Sequence, residues 1–93
     1  MKNFFESKIN VLKIEMVESL KNKDLIGKDL YIRDEVSNLT GGLVDGVVSA
    51  MSAHCEIIKQ KGELITCEME FDEVVEVKLS NLSVELLLIL MED

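Results

Sequence analysis

The spacing of apolar residues changes character near residue 24. Before it, Phe5, Ile9, Leu12, Met16 and Leu20 recur at intervals of four and three. That spacing predicts a helix from residue 3 to about residue 23 with one apolar stripe. Asn3 is placed to cap its start, with Glu6 three positions later in capping-box spacing. A narrower apolar set, Phe4, Val11 and Ile14, lies roughly opposite. Docking a helix on its own domain needs one stripe. The second stripe is either scattered surface hydrophobes or the mark of a helix sandwiched between its own domain and a neighbouring subunit.

Gly27 ends the helical period, and short alternating runs follow, separated by glycine turns. Residues 29–34 predict a strand with Leu30 and Ile32 on one face. Residues 35–42 predict a loop, and 43–52 a second strand that Gly46 bends. Residues 54–71 predict a hairpin turning at Gln60-Lys61-Gly62, a three-residue loop that sets Lys59 opposite Glu63, Cys55 opposite Cys67 and His54 opposite Glu68. In that register Cys55, Ile57, Ile65, Cys67, Met69 and Phe71 point inward, while His54, Glu56, Thr66, Glu68 and Glu70 point outward. Residues 74–79 predict another strand with Val75, Val77 and Leu79 on one face. Residues 82–91 admit two readings. Leucine content and Asn81 as a cap favour helix, whereas pairing across a tight Ser80-Asn81 turn favours strand, the preferred reading, although it sets Glu76 against Glu85.

Charge narrows the function classes. The net charge is −8, with the first 23 residues carrying +2 and the rest −10. An acidic body repels phosphate backbones, so nucleic acid is an unfavoured partner. The longest apolar run, residues 86–91, is far too short to span a membrane, and the N-terminus lacks the apolar segment of a secretory signal. Two cysteines in such a chain predict reduced thiols and a cytoplasmic location.

Candidate chemistry is sparse. His54 is the single histidine, and its strand neighbour Cys55 points to the other face, which argues against a Cys–His pair or joint metal ligation. A surface histidine beside Glu56 and Glu68 is the preferred reading. Cys55 and Cys67 lack the second pair and the short spacing of a zinc site, and read as buried thiols. Gly41-Gly42 has neither the Lys-Ser/Thr nor the helix of a phosphate loop. Glu68, Glu70, Asp72, Glu73 and Glu76 form an acidic rim without calcium-loop spacing, suited to a basic protein partner. No cofactor, metal or catalytic residue is assigned.

Three segments carry a family resemblance. Leu25-Ile26-Gly27-Lys28-Asp29-Leu30 resembles the opening of a PRC-barrel domain, Gly42-Leu43-Val44-Asp45-Gly46-Val47-Val48 its second strand, and Phe71-Asp72-Glu73-Val74-Val75 its later Phe-Asp-Glu-Val segment. The helix, Gly42-x-Val44-x-Gly46 and residues 69–77 are also similar to the Sm-like pattern. The late Arg-Gly-Asp of that pattern reads Glu70-Phe71-Asp72 here, and no functional residue is carried over from either family. The expected fold is α+β and mostly β: one domain, 1–93, with an amphipathic helix (1–23) on a five- to six-stranded antiparallel small β-barrel (25–91). The expected function is a non-enzymatic, self-associating interaction or assembly module, with an Sm-like RNA-binding ring as the alternative. The candidate interface is Phe4, Val11, Ile14, Leu87, Ile89 and Met91.

Overall fold

The computed structural model describes residues 4–39 and 41–92, with side chains from residue 8 onward. The expected capping box of Asn3 and Glu6, and the places of Phe4 and Phe5 in their stripes, lie outside the described residues. Helix α1 (Phe4–Lys21) is followed by strands β1 (Asp29–Ile32), β2 (Ala53–Lys61), β3 (Leu64–Met69) and β4 (Val74–Lys78), and by helix α2 (Val84–Met91). The strands form one antiparallel sheet in the order β1-β2-β3-β4.

This corrects the expected barrel: the sheet is open and four-stranded, and the second strand expected at 43–52 does not form. Its buried residues are Val44 and Val48, four apart, with Leu43 and Val47 exposed. A strand alternates every two residues. Gly46, at φ +81°, breaks that alternation, and the segment's backbone pairs with the sheet through isolated bridges, not a ladder. The amide of Val44 donates to the Glu76 carbonyl at 2.9 Å, the Glu76 amide to Gly42 at 3.0 Å, and the Val48 amide to Asn81 at 2.7 Å. The segment thereby covers part of the β4 edge. Beyond it, the Arg33 amide donates to Ser49 and the Met51 amide to Tyr31, each at 3.1 Å, so the same segment reaches β1. Covering an edge in this way satisfies its backbone groups and discourages pairing with other chains.

The C-terminal segment is the second correction. It is helical, and its cap is Ser83, whose Oγ accepts the Leu86 amide at 3.4 Å. Asn81 instead donates Nδ2 to the Val44 carbonyl at 2.9 Å. The helix groups Leu86, Leu87 and Leu90 on one buried face, whereas a strand would have split these leucines between two faces. Leucine's helix propensity and the burial of that face act in the same direction.

The β2–β3 hairpin is displaced from its expected register. Lys61 lies opposite Leu64, so the loop is the two-residue Gly62-Glu63. Gly62 has φ +61°, and Glu63 is not among the positive-φ residues. That is the type II′ arrangement, whose twist matches the flanking strands. Ile58 is bulged between the Ile57–Cys67 and Lys59–Thr66 pairs, and Cys55 lies opposite Met69. Beyond the bulge the register is shifted by two residues. An even shift leaves each side chain on its expected face, and Cys55, Ile57, Ile65, Cys67 and Met69 are all buried. Phe71 is the exception: it lies beyond the end of β3 and is 90% exposed. The bulge also turns Gln60 to the side of its buried partner Ile65.

The core joins the buried sheet face to Met16, Val17 and Leu20 of α1, to Leu25 in the linker, and to the leucines of α2. As expected, Leu30 and Ile32 of β1, and Val75 and Val77 of β4 with Leu79, share the buried side.

Candidate functional site: an exposed helical surface

An 18-residue helix is about 27 Å long, in a molecule measuring 43 × 27 × 20 Å. Among the described side chains, α1 reaches the core through Met16, Val17 and Leu20. Ahead of these, Ile9 and Leu12 continue the core stripe but are exposed, as are Val11 (56%) and Ile14 (64%) of the second stripe. The helix therefore presents apolar side chains on opposite sides over residues 9–14. Spacing alone assigns Ile9 and Leu12 to the core. The cue against this is the length of the helix relative to the body a 93-residue chain can form.

The six candidate interface residues separate into three groups. Phe4 has no described side chain. Val11 and Ile14 are exposed on α1, and Ile89 and Met91 on α2 beside an exposed Leu88. Leu87 is fully buried and is withdrawn as an interface residue, because α2 is a helix and turns it into the core. The two helices pack on one another. Lys23, just past α1, donates from Nζ to the Leu90 carbonyl at 3.1 Å. This places a cation at the negative end of α2, where the last carbonyls have no helical partner. Beside α1 a groove of about 550 Å³ runs between Ile14, Val17 and Glu18 on one wall and Glu63 and Ser80 on the other.

A second, smaller cavity of about 280 Å³ is lined by Asp34, His54, Met69, Glu70, Phe71 and Glu73, among others. His54 Nε2 lies 2.9 Å from Asp29 Oδ1, and its ring centroid is 5.2 Å from that of Tyr31. The expected Glu56 and Glu68 partners are replaced by Asp29, because β1, the partner strand on the other side of β2, supplies the closer carboxylate. Glu56 faces Asp29 on one side and Glu68 on the other, so three exposed carboxylates lie abreast on the outer sheet face. Phe71 and Asp72 both adopt the left-handed backbone conformation, φ 61° and 62°, which costs about 1–2 kcal/mol for each such residue.

Cys55 and Cys67 are free and buried. Diagonal across the β2–β3 pair, they hydrogen-bond through their thiols. That bond lowers the Cys55 pKa and, with burial, raises that of Cys67. Among the described residues no group of three or more His, Cys, Asp or Glu side chains is placed to hold a metal ion, and no helix is long and apolar enough to cross a membrane. No protein-family model matches the chain, and no curated protein or solved structure does so either.

Proposed function

We propose that this protein is a non-enzymatic, self-associating interaction module that works in the cytoplasm with α1 as its assembly element. The observation carrying this reading is the exposure of Ile9, Val11, Leu12 and Ile14 along the part of α1 that extends past the core. Large apolar side chains exposed on both sides of a helix over successive turns are the kind of surface that association covers. The exposed Leu88, Ile89 and Met91 of the adjoining helix add to it. The non-enzymatic part of the reading is supported by His54, which is engaged by Asp29 while Cys55 points to the opposite face of β2.

Light scattering tests the reading. The wild-type chain self-associates at micromolar concentrations, and the double variant Val11→Glu, Ile14→Glu, with unchanged circular dichroism, runs as a monomer. A wild-type chain that stays monomeric at high micromolar concentration overturns the proposal.

A second reading concerns a basic protein partner at the acidic rim. It is favoured by Phe71, fully presented between Glu70, Asp72 and Glu73, since an aromatic ring among carboxylates suits lysine or arginine side chains.

A further inference from the structure

We infer that the second copy binds through α1 itself, with two α1 helices running antiparallel across a twofold axis near residues 11–14. This rests on the self-association reading and adds its geometry.

Val11 and Ile14 lie three apart on one side of α1 and are both exposed; the positions four residues beyond them on that side are Ser7 and Glu18, so the apolar contact is confined to Val11 and Ile14. Laid antiparallel, Val11 of one copy meets Ile14 of the other, and the reciprocal contact follows from the symmetry of an isologous interface. Ile14 also forms a wall of the groove beside α1, so a helix on this stripe is flanked by that groove.

Charge chooses the direction. Between residues 8 and 18 of α1 the cations Lys8 and Lys13 precede the anions Glu15 and Glu18. Lys8 and Glu15 occupy the same flank of the stripe, seven residues apart. In the antiparallel arrangement each Lys8 lies beside the partner's Glu15, twice per dimer. In a parallel, in-register pair this flank meets Asn10 of the opposite flank, and no unlike charges are matched. Flanking charges of this kind set partner and orientation in helix pairs.

Charge-swap mixing tests the inference, read by sedimentation equilibrium of the full chain. Lys8→Glu alone sets two carboxylates against each other at both symmetry-related contacts, and Glu15→Lys alone sets two ammonium groups against each other there. Each weakens self-association by about tenfold. An equimolar mixture of the two variants forms a heterodimer with wild-type affinity, because every pair is again of opposite sign. A wild-type dimer whose affinity is unmoved by either reversal, or a mixture no tighter than its components, overturns the antiparallel pairing and leaves self-association standing. A wild-type monomer overturns both.

Discussion

Gln60 accepts the Leu25 amide on its Oε1 at 3.0 Å, closing the linker between α1 and β1 onto the second strand. Its Nε2 donates to the Leu20 carbonyl at 3.1 Å, so one side chain satisfies a donor and an acceptor of two fully buried residues. The bulge at Ile58 is what turns Gln60 inward. Gln60→Ala leaves the Leu25 amide without a partner, while the Leu20 carbonyl keeps the Lys23 amide at 3.1 Å, and is expected to cost about 1–3 kcal/mol, read by urea denaturation. A loss under about 0.5 kcal/mol would mean that water replaces the amide without penalty.

Leu87 separates folding from association. It is fully buried on α2, and Leu87→Ala is expected to cost about 2–5 kcal/mol by leaving a cavity. Val11→Ala and Ile14→Ala, on exposed positions, are expected to change stability within about 0.5 kcal/mol while weakening association. Thermal melts at low protein concentration distinguish the two classes.

The carboxylate row formed by Asp29, Glu56 and Glu68 sets like charges directly opposite on adjacent strands. Neutralising its centre with Glu56→Gln is expected to raise stability by about 0.5 kcal/mol. The gain should shrink in molar salt, which screens exposed charges. Denaturation at two ionic strengths checks both statements.

Phe71 is held in the left-handed backbone conformation at 90% exposure, so it forfeits conformational energy and has little packing to offset it. Glycine adopts that conformation freely. Phe71→Gly is expected to stabilise the fold by about 0.5–1 kcal/mol, measured by denaturant titration. If Phe71 anchors a basic partner, the same substitution abolishes that binding.

The thiol pair gives the stability a dependence on alkaline pH. The hydrogen bond to Cys55 and burial hold the Cys67 proton in the folded state, so above about pH 8.5–9 the unfolded chain releases a thiol proton that the folded chain keeps. The folded state then binds more protons, and stability falls as pH rises, by about 1.4 kcal/mol per pH unit for that one proton. Cys55, whose pKa is lowered by the same bond, contributes with the opposite sign: its stabilising share is complete above the ordinary thiol range and is lost as pH falls below it. Cys67→Ala is expected to flatten the alkaline limb, followed by denaturation between about pH 8 and pH 10.

The faces of the sheet were legible in the sequence because strand alternation depends only on parity. The predicted hairpin register was wrong by two residues beyond the bulge, and Cys55, Ile57, Ile65, Cys67 and Met69 still went inward, whereas Phe71, past the end of β3, did not. The residues that broke this rule were those whose environment depends on distant chain. Val44 and Val48 have the same parity, as residues on one strand face would, yet Gly46 and the β4 edge hold them in irregular backbone. Leu86 to Leu90 fit either period, and the presence of a core large enough to bury one helical face decided between them. The barrel expectation failed through these two segments together. For the exposed surface, the second stripe of α1 identified Val11 and Ile14. The exposure of Ile9 and Leu12 depends on where the body ends, which their spacing does not encode.

Sedimentation equilibrium of the unaltered chain, from low to high micromolar concentration, decides whether the protein self-associates. Self-association through α1 predicts a mass rising toward twice the 10.5 kDa of one chain, described by a single monomer–dimer constant. A mass fixed at that of one chain across the whole range would contradict it.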